Sequence, residues 1–353
     1  MSYLKINNVR IAGVAAAVPT RIKDIVSQPC FANIQEAEKV ISVTHVKQSR
    51  MVKEGQCCSD LCYEAANKII ESLSWNRREI DALVYVSLSR DFITPSTAGI
   101  LQHRLGLSTE CYAIDVPLAC SGYVYGLSVI SSLVSGGGIK KALLLVGETT
   151  SCLQSPLDKS LWPLHGDAGT ATAIEFTKDT HPIYFHLATD GSRADSIINR
   201  DGGVRHPFSI ESLDMHQIEP GIIRNNLQSH MDGMNVFGFS IKEPPSSILN
   251  LCTHFNLDLK KISYLYLHQA NKYMDEKIAK KLHIEADKVP YSMMFYGNTS
   301  SASIPMTMVV STGEQLSNET VDVILCGFGS GLSWGSAYLT LSNVICPSLI
   351  EVD

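Results

Sequence analysis

Two stretches of this chain repeat one design at nearly one distance. Ile80-Asp-Ala-Leu-Val-Tyr and Ile262-Ser-Tyr-Leu-Tyr-Leu are short apolar runs whose starts stand 182 residues apart. Ala142-Leu-Leu-Leu-Val-Gly147 and Val323-Ile-Leu-Cys-Gly327 form a second pair, with closing glycines 180 apart. Runs this short and this apolar read as strands buried on both faces. Their recurrence points to an internal duplication, although apolar strands resemble one another and the offset alone leaves coincidence open. On that offset Cys120 falls opposite Ser300, so that two strand-to-helix turns, one with Cys120 and one with Asn298, face each other across a pseudo-twofold axis.

The rest of the chain alternates strand and helix signals, which predicts an α/β fold. Strands are expected over 4–18, 80–88, 111–116, 141–147, 183–189, 262–267 and 321–326. Helices are expected over 33–43, 59–73, 95–105, from Ser121 to Gly136, over 239–255 and 271–282, and after Ser301. The Gly-, Asp- and Asn-rich stretch 190–235 reads as a long loop region over a site. With 45 % hydrophobic and 18 % charged residues, the chain has the material for a large core. A net charge of −6 and the lack of a basic stripe with interleaved aromatics argue against nucleic acid. Ten cysteines without paired CxxC spacing fit reduced thiols rather than disulfides or a metal site. No signal pattern or long apolar run appears, so a soluble cytoplasmic protein is expected, with no membrane association.

Within Asp115-Val-Pro-Leu-Ala-Cys-Ser-Gly-Tyr-Val-Tyr-Gly126, a buried strand ends, a tight turn carries Cys120, and a helix opens at Ser121-Gly122. A helix N-terminus favours thiolate, and the backbone N–H of Cys120 is available to a developing oxyanion. Read singly, a cysteine is by default a buried structural thiol, and only its companions set Cys120 apart. His268 at a strand end has an ordinary reading as a satisfied histidine, and Asn298 after Gly297 as turn chemistry. Gly327-Phe-Gly-Ser-Gly-Leu-Ser-Trp-Gly335 reads as a glycine-rich turn that lets backbone N–H groups approach a substrate. Together these residues lie at carboxyl ends of strands, where α/β folds bind ligands.

Ala119-Cys-Ser-Gly122, His268-Gln-Ala-Asn271, Gly297-Asn-Thr-Ser-Ser-Ala-Ser303 and Gly327 to Gly335, in this order, resemble the β-ketoacyl-acyl-carrier-protein synthase III family of the thiolase-fold superfamily. The resemblance runs from Ile11 to Tyr338. It implies a five-layer αβαβα arrangement of two pseudo-symmetric halves, here 1–178 with the nucleophilic cysteine and 179–353 with the histidine and asparagine, usually as a homodimer. It implies that Cys120 takes an acyl group from a thioester, and that His268 and Asn298 stabilise the enolate formed as a malonyl thioester loses carbon dioxide. The N–H groups of Cys120 and Ser330 would then hold the tetrahedral oxyanion. The substrates are acyl and malonyl thioesters of acyl-carrier protein or coenzyme A, with no cofactor and no metal.

Departures from the family pattern shape further expectations. Ser330 stands where glycine is usual. His165 replaces an aromatic residue before Gly166-Asp167 and, with Gly329, is expected in the substrate pocket. The aromatic–guanidinium clamp for adenine is replaced by Lys39 and Val43, which favours a carrier-protein donor or coenzyme A held differently. Thr94 replaces a bulky aromatic that the family donates across the dimer, which implies a longer acyl pocket. Lys272, Lys277, Lys280 and Lys281 are candidates for docking an acidic acyl-carrier protein, and are equally a solvated helix face. Thiolases, chalcone-type polyketide synthases, an acyltransferase of this fold that does not condense and a non-catalytic acyl-carrier scaffold are the rival readings. Cys326 falls one position early for a thiolase's second cysteine.

Overall fold

The computed structural model describes residues 2–178 and 180–353. Asp179, where the expected boundary between the halves falls, lies outside the described residues. In the first half the elements are β1 (Ser2–Ile6), β2 (Val9–Pro19), β3 (Ile22–Asp24), α1 (Ile34–Thr44), β4 (Gln48–Arg50), α2 (Cys58–Ser72), β5 (Ala82–Val86), α3 (Thr97–Arg104), β6 (Tyr112–Val116), α4 (Gly122–Ser135), β7 (Lys141–Glu148) and β8 (Ala168–Phe176). The second half holds β9 (Ile183–Thr189), the short strands β10 (Ile197–Ile198), β11 (His216–Glu219), β12 (Ile222–Arg224) and β13 (His230–Met231), then α5 (Gly233–Ser240) and α6 (Glu243–Phe255). It closes with β14 (Tyr264–Leu267), α7 (Lys272–Leu282), α8 (Met293–Tyr296), α9 (Ser303–Asn318), β15 (Thr320–Gly329), β16 (Ser333–Ser342) and β17 (Ile350–Val352).

Among the described residues, one sheet has the order β17-β2-β8-β7-β5-β6 and the other β1-β9-β16-β15-β14. The repeated apolar runs occupy equivalent places. β5 and β7 pair in parallel, as do β14 and β15. Each run is buried on both faces because its alternate side chains serve different cores. Ala82, Val84 and Val86 join Val124, Leu127 and Ile130 of α4 and Ile304 and Met308 of α9 between the sheets. Leu83 and Tyr85 instead meet Leu61, Ala65 and Ile69 of α2 and Leu101 of α3 outside. In the second sheet Val323 and Leu325 face the central helices, whereas Ile324 and Cys326 meet Ile248 of α6 and Ile278 of α7. The layers are therefore helix, sheet, helix, sheet, helix, the five-layer thiolase-like arrangement.

The termini tie the halves together. β1 pairs with β9 in the second sheet, and β17 pairs with β2 in the first. Some sequence expectations change. The helix expected over 239–255 is two, α5 and α6, because Pro244 and Pro245 open a new first turn and supply no N–H to continue the old one. The stretch 190–235 carries short strands, with Arg224 of β12 ion-paired to buried Asp158 at 2.7 Å. β8 and β16 are strands beyond those expected: β16 opens within the glycine-rich stretch, and in β8 Ala168-Gly-Thr-Ala-Thr-Ala has small residues on both faces. Gly169 needs that smallness, since a Cβ there would lie 2.5 Å from the backbone N of Cys62 in α2.

Candidate active site

Cys120 lies between the end of β6 and the start of α4, beside the end of β15. Gly122 and Gly126 let α4 press on β5: a Cβ at either would be 2.7 Å from a Val86 methyl. Gly327 and Gly329 make room from the other side. A Cβ on Gly329 would stand 2.5 Å from Cys120 Cβ and 2.7 Å from its Sγ. These two glycines belong to β15 rather than to a turn, and only Gly331 takes a positive φ, 132°. The turn proper is Ser330–Leu332, and Ser330 adopts an ordinary φ, so replacement of glycine there costs no left-handed strain.

The thiol of Cys120 is not held ionised. Burial raises its pKa and nearby Glu148 adds to the rise, while a Ser300 hydroxyl contact at 3.7 Å and the N–H groups of Ser330 and Cys120 itself act against it. Dipole alignment at α4 is thus outweighed by desolvation. The same two N–H groups that the family resemblance gives to an oxyanion act on the sulfur. Ser300, the positional counterpart of Cys120, meets it across the pseudo-twofold axis in a left-handed conformation with φ 53°.

Asn298 and His268 complete the cluster, both buried. Asn298 Oδ1 accepts the N–H of Ser300 at 2.8 Å, which leaves its Nδ2 donors without a partner among the described residues. His268 Nδ1 lies 2.9 Å from Ser303 Oγ and 3.2 Å from Ser300 O, and the Ser303 hydroxyl donates to that carbonyl at 2.7 Å. A carbonyl only accepts, so this geometry assigns the resting proton to Nδ1. Burial, with the His165 ring nearby, lowers the His268 pKa to about 3, and the imidazole is neutral. The other members of the motif are structural: Gln269 bonds Leu267 O and the N–H of Ser292, and Asn271 caps α7.

His165 is close to the cluster. Its backbone bridges to Asn298, its Nδ1 donates to Leu161 O at 3.1 Å, and burial lowers its pKa to about 4. Glu148, at the end of β7, accepts from Ser87, Leu88 and Ser89, yet burial lifts its pKa to about 7. Local sequence gives no sign of Glu148, or of Lys23, whose buried ammonium reaches the carbonyls of Trp162 and His165. Thr94 is not brought to Cys120 by its own chain: it sits exposed before α3, beside exposed Phe92 and Ile93. On α7, Lys277, Lys280 and Lys281 are exposed, while Lys272 is half-buried and 3.7 Å from Glu276. Cys326 is buried with its thiol pushed up to about 12, which removes it as a second nucleophile.

Known proteins resemble this chain in sequence and fold. Family models described as 3-oxoacyl-[acyl-carrier-protein (ACP)] synthase III and its C-terminal part match residues 114–191 and 252–341. The β-ketoacyl-[acyl-carrier-protein] synthase III of Streptococcus agalactiae is 36 % identical over 301 residues, covering 84 % of this chain and 88 % of that one. The chain belongs to the 3-oxoacyl-[acyl-carrier-protein] synthase III family. The synthase III of Streptococcus pyogenes is 32 % identical over 331 residues, 93 % of this chain and 97 % of its own. Among solved structures, a 3-oxoacyl-(acyl-carrier protein) synthase of Burkholderia xenovorans superposes with a TM-score of 0.92 at 32 % identity, covering 99 % of each chain. The matched parts of this synthase III family member include Cys120 in one and His268, Asn298 and Ser330 in the other. No helix among the described residues is long and apolar enough to cross a membrane.

Proposed function

We propose that this synthase III family member catalyses a decarboxylative Claisen condensation between an acyl group on Cys120 and a malonyl thioester. One juxtaposition carries the reading. The Cys120 sulfur faces two backbone N–H groups, while the free donors of Asn298 and a neutral imidazole lie in the same buried cluster.

In the first half-reaction the thiol attacks the donor thioester, and the Cys120 and Ser330 N–H groups receive the developing oxyanion. His268 Nε2, a lone pair while Nδ1 holds the proton, takes the thiol proton and returns it to the leaving thiolate. In the second half-reaction the malonyl thioester loses carbon dioxide, and its electron pair passes to the thioester oxygen. Asn298 Nδ2 donates to that oxygen. Between the half-reactions the ring exchanges its Nδ1 proton for one on Nε2 through solvent entering as the first product leaves; the Ser303 hydroxyl, within reach of both Ser300 O and Nδ1, then donates to Nδ1, and Nε2–H serves the same oxygen. The enolate carbon then attacks the acyl-Cys120 carbonyl and expels the sulfur as thiolate, which takes up one proton from solvent to restore the thiol. Removing one such donor typically costs about 10²- to 10³-fold in rate.

The substrates are thioesters of acyl-carrier protein or coenzyme A, with Gly329 and His165 on the pocket wall. Exposed Lys277, Lys280 and Lys281, with Lys272 beside them, suit an acidic carrier protein. The active form is a homodimer in which Thr94 meets the partner's pocket. Incubation with malonyl-carrier protein and a panel of acyl donors, followed by mass spectrometry, tests the reading. An acyl adduct on Cys120 followed by a β-ketoacyl product is expected. Acyl transfer to oxygen or nitrogen without loss of carbon dioxide would replace it with simple acyl transfer, and full product formation by Cys120→Ala would leave only a scaffold.

A further inference from the structure

Asn298 is held by a strip of chain that is itself held from outside the site. Its N–H donates to Leu164 O at 2.8 Å, and its carbonyl accepts from Gly166 N at 3.1 Å. The two segments touch too closely for side chains. A Cβ on Gly166 would strike the Tyr296 carbonyl, and one on Gly297 would lie 2.8 Å from Leu164 O and 3.1 Å from Ser49 Cβ. Between Leu164 and Gly166 the His165 carbonyl is gripped twice. Lys23 Nζ donates to it at 2.8 Å and Ser49 Oγ at 3.0 Å. Lys23 and Ser49 are directly opposite each other on the β3–β4 ribbon, so one pair of strands supplies both donors.

Lys23 is an uncommon choice for a purely structural prop. Only 3 % of it is exposed, and among the described residues no carboxylate touches its ammonium. It donates to Trp162 O at 2.7 Å and sits 4.2 Å from the centre of the Trp162 ring. Charge-assisted bonds to carbonyls are stronger and more directional than neutral ones. That strength falls on the residues flanking the two hydrogen bonds of Asn298. Because Asn298 Oδ1 is fixed by Ser300 N–H, fixing its backbone also fixes the direction of Nδ2.

We infer that Lys23, with Ser49, is a positioning residue for decarboxylation: it clamps the His165 carbonyl and thereby aims the Asn298 amide. This rests on the condensation reading above. The role predicts a split between half-reactions, since Asn298 serves decarboxylation and not acylation of Cys120. A misplacement of about 1 Å at a reacting group costs up to roughly 10²-fold. It also predicts a pH effect. Burial lowers the Lys23 pKa to about 8, with Asp167 and Cys30 acting to raise it, so the clamp loses its charge as pH rises through that value. The groups facing Lys23 are Asp167, Cys30 and His165.

The test uses full-length wild type, Lys23→Met, Lys23→Arg and Ser49→Ala. Acylation of Cys120 is followed by label transfer, and release of labelled carbon dioxide from a malonyl thioester by single turnover on the acylated protein. Lys23→Met should slow carbon dioxide release about ten-fold or more, while acylation stays within about two-fold. Ser49→Ala should show a smaller loss in the same half-reaction, and Lys23→Arg should recover part of it. Wild-type decarboxylation should fall above about pH 8 and the Lys23→Met profile should lack that limb. Equal losses in both half-reactions, or none, overturn the positioning role. If Lys23→Met does not fold, the split in Ser49→Ala decides. A wild-type chain that neither acylates Cys120 nor releases carbon dioxide overturns the condensation reading instead, and the positioning role with it.

Discussion

Burial keeps the Cys120 sulfur protonated near neutral pH, so its reactivity comes from neighbours placed to act during attack rather than from a resting thiolate. Alkylation of Cys120 by iodoacetamide, read on its own peptide by mass spectrometry, should therefore accelerate with pH beyond the ordinary thiol range. Ser300→Ala should move that midpoint further up, because the hydroxyl is the largest of the effects that lower it. Space is the second constraint. Gly329→Ala would place a methyl 2.7 Å from the sulfur, and acylation should fall by about 10²-fold or more, with circular dichroism unchanged. Cys120, His268 and Asn298 were legible in the sequence because each stands in a short run whose order is distinctive. Lys23 was not. Ile22-Lys-Asp reads as any solvated strand edge, and only the packing of the 162–166 segment over the ribbon turns it into a buried cation.

At the scale of elements, apolar content decided what could be seen. β5, β7, β14 and β15 carry side chains for two cores each and stand out as unbroken apolar runs. β8 and β16 fill equivalent places next to β7 and β15 but open largely on Ala, Gly, Ser and Thr, with most of their larger apolar residues gathered towards their ends, so they do not stand out as unbroken apolar runs. Their smallness is a demand of neighbours, as Gly169 against α2 shows. The helix α7 raises the opposite problem: its lysines are plain to read, but exposure alone does not separate a docking face from a solvated one. Lys281 also reaches Ile241 O at 3.3 Å, so part of its role is local. Reversing Lys277 and Lys280 to Glu separates the functions. The kcat/KM for carrier-protein substrates should fall about ten-fold at low salt, with the loss shrinking as salt rises, while short pantetheine thioesters should react at the wild-type rate.

At the scale of the molecule, the exchange of β1 and β17 between sheets makes each half depend on the other's terminus. The duplication was legible as an offset of about 180 residues; this exchange was not, since terminal strands have no counterpart in the repeat. Among the four end strands of the two large sheets, β6 has exposed apolar neighbours. β6 ends the first sheet, Tyr112 on it is 47 % exposed, and the preceding loop exposes Phe92 and Ile93 at 60 % and 83 % beside Thr94. An unpaired edge with adjacent apolar side chains is a surface that another chain can cover by extending the sheet, and the proposed homodimer would use it so. In the proposed homodimer Thr94 would be a wall of the partner's acyl pocket and not of its own. Its short side chain leaves there the space that an aromatic residue would take. Thr94→Phe should therefore shift the chain-length profile towards short acyl donors, cutting kcat/KM for medium chains about ten-fold while the two-carbon donor holds its rate. Ile93→Asp should weaken self-association in analytical ultracentrifugation. Mixed dimers would locate the effect: with Thr94→Phe and Cys120→Ala on one chain beside a wild-type partner, the phenylalanine faces the intact Cys120 across the interface and short-chain preference should appear, and with the two substitutions on separate chains the intact Cys120 faces Thr94 and the preference should vanish.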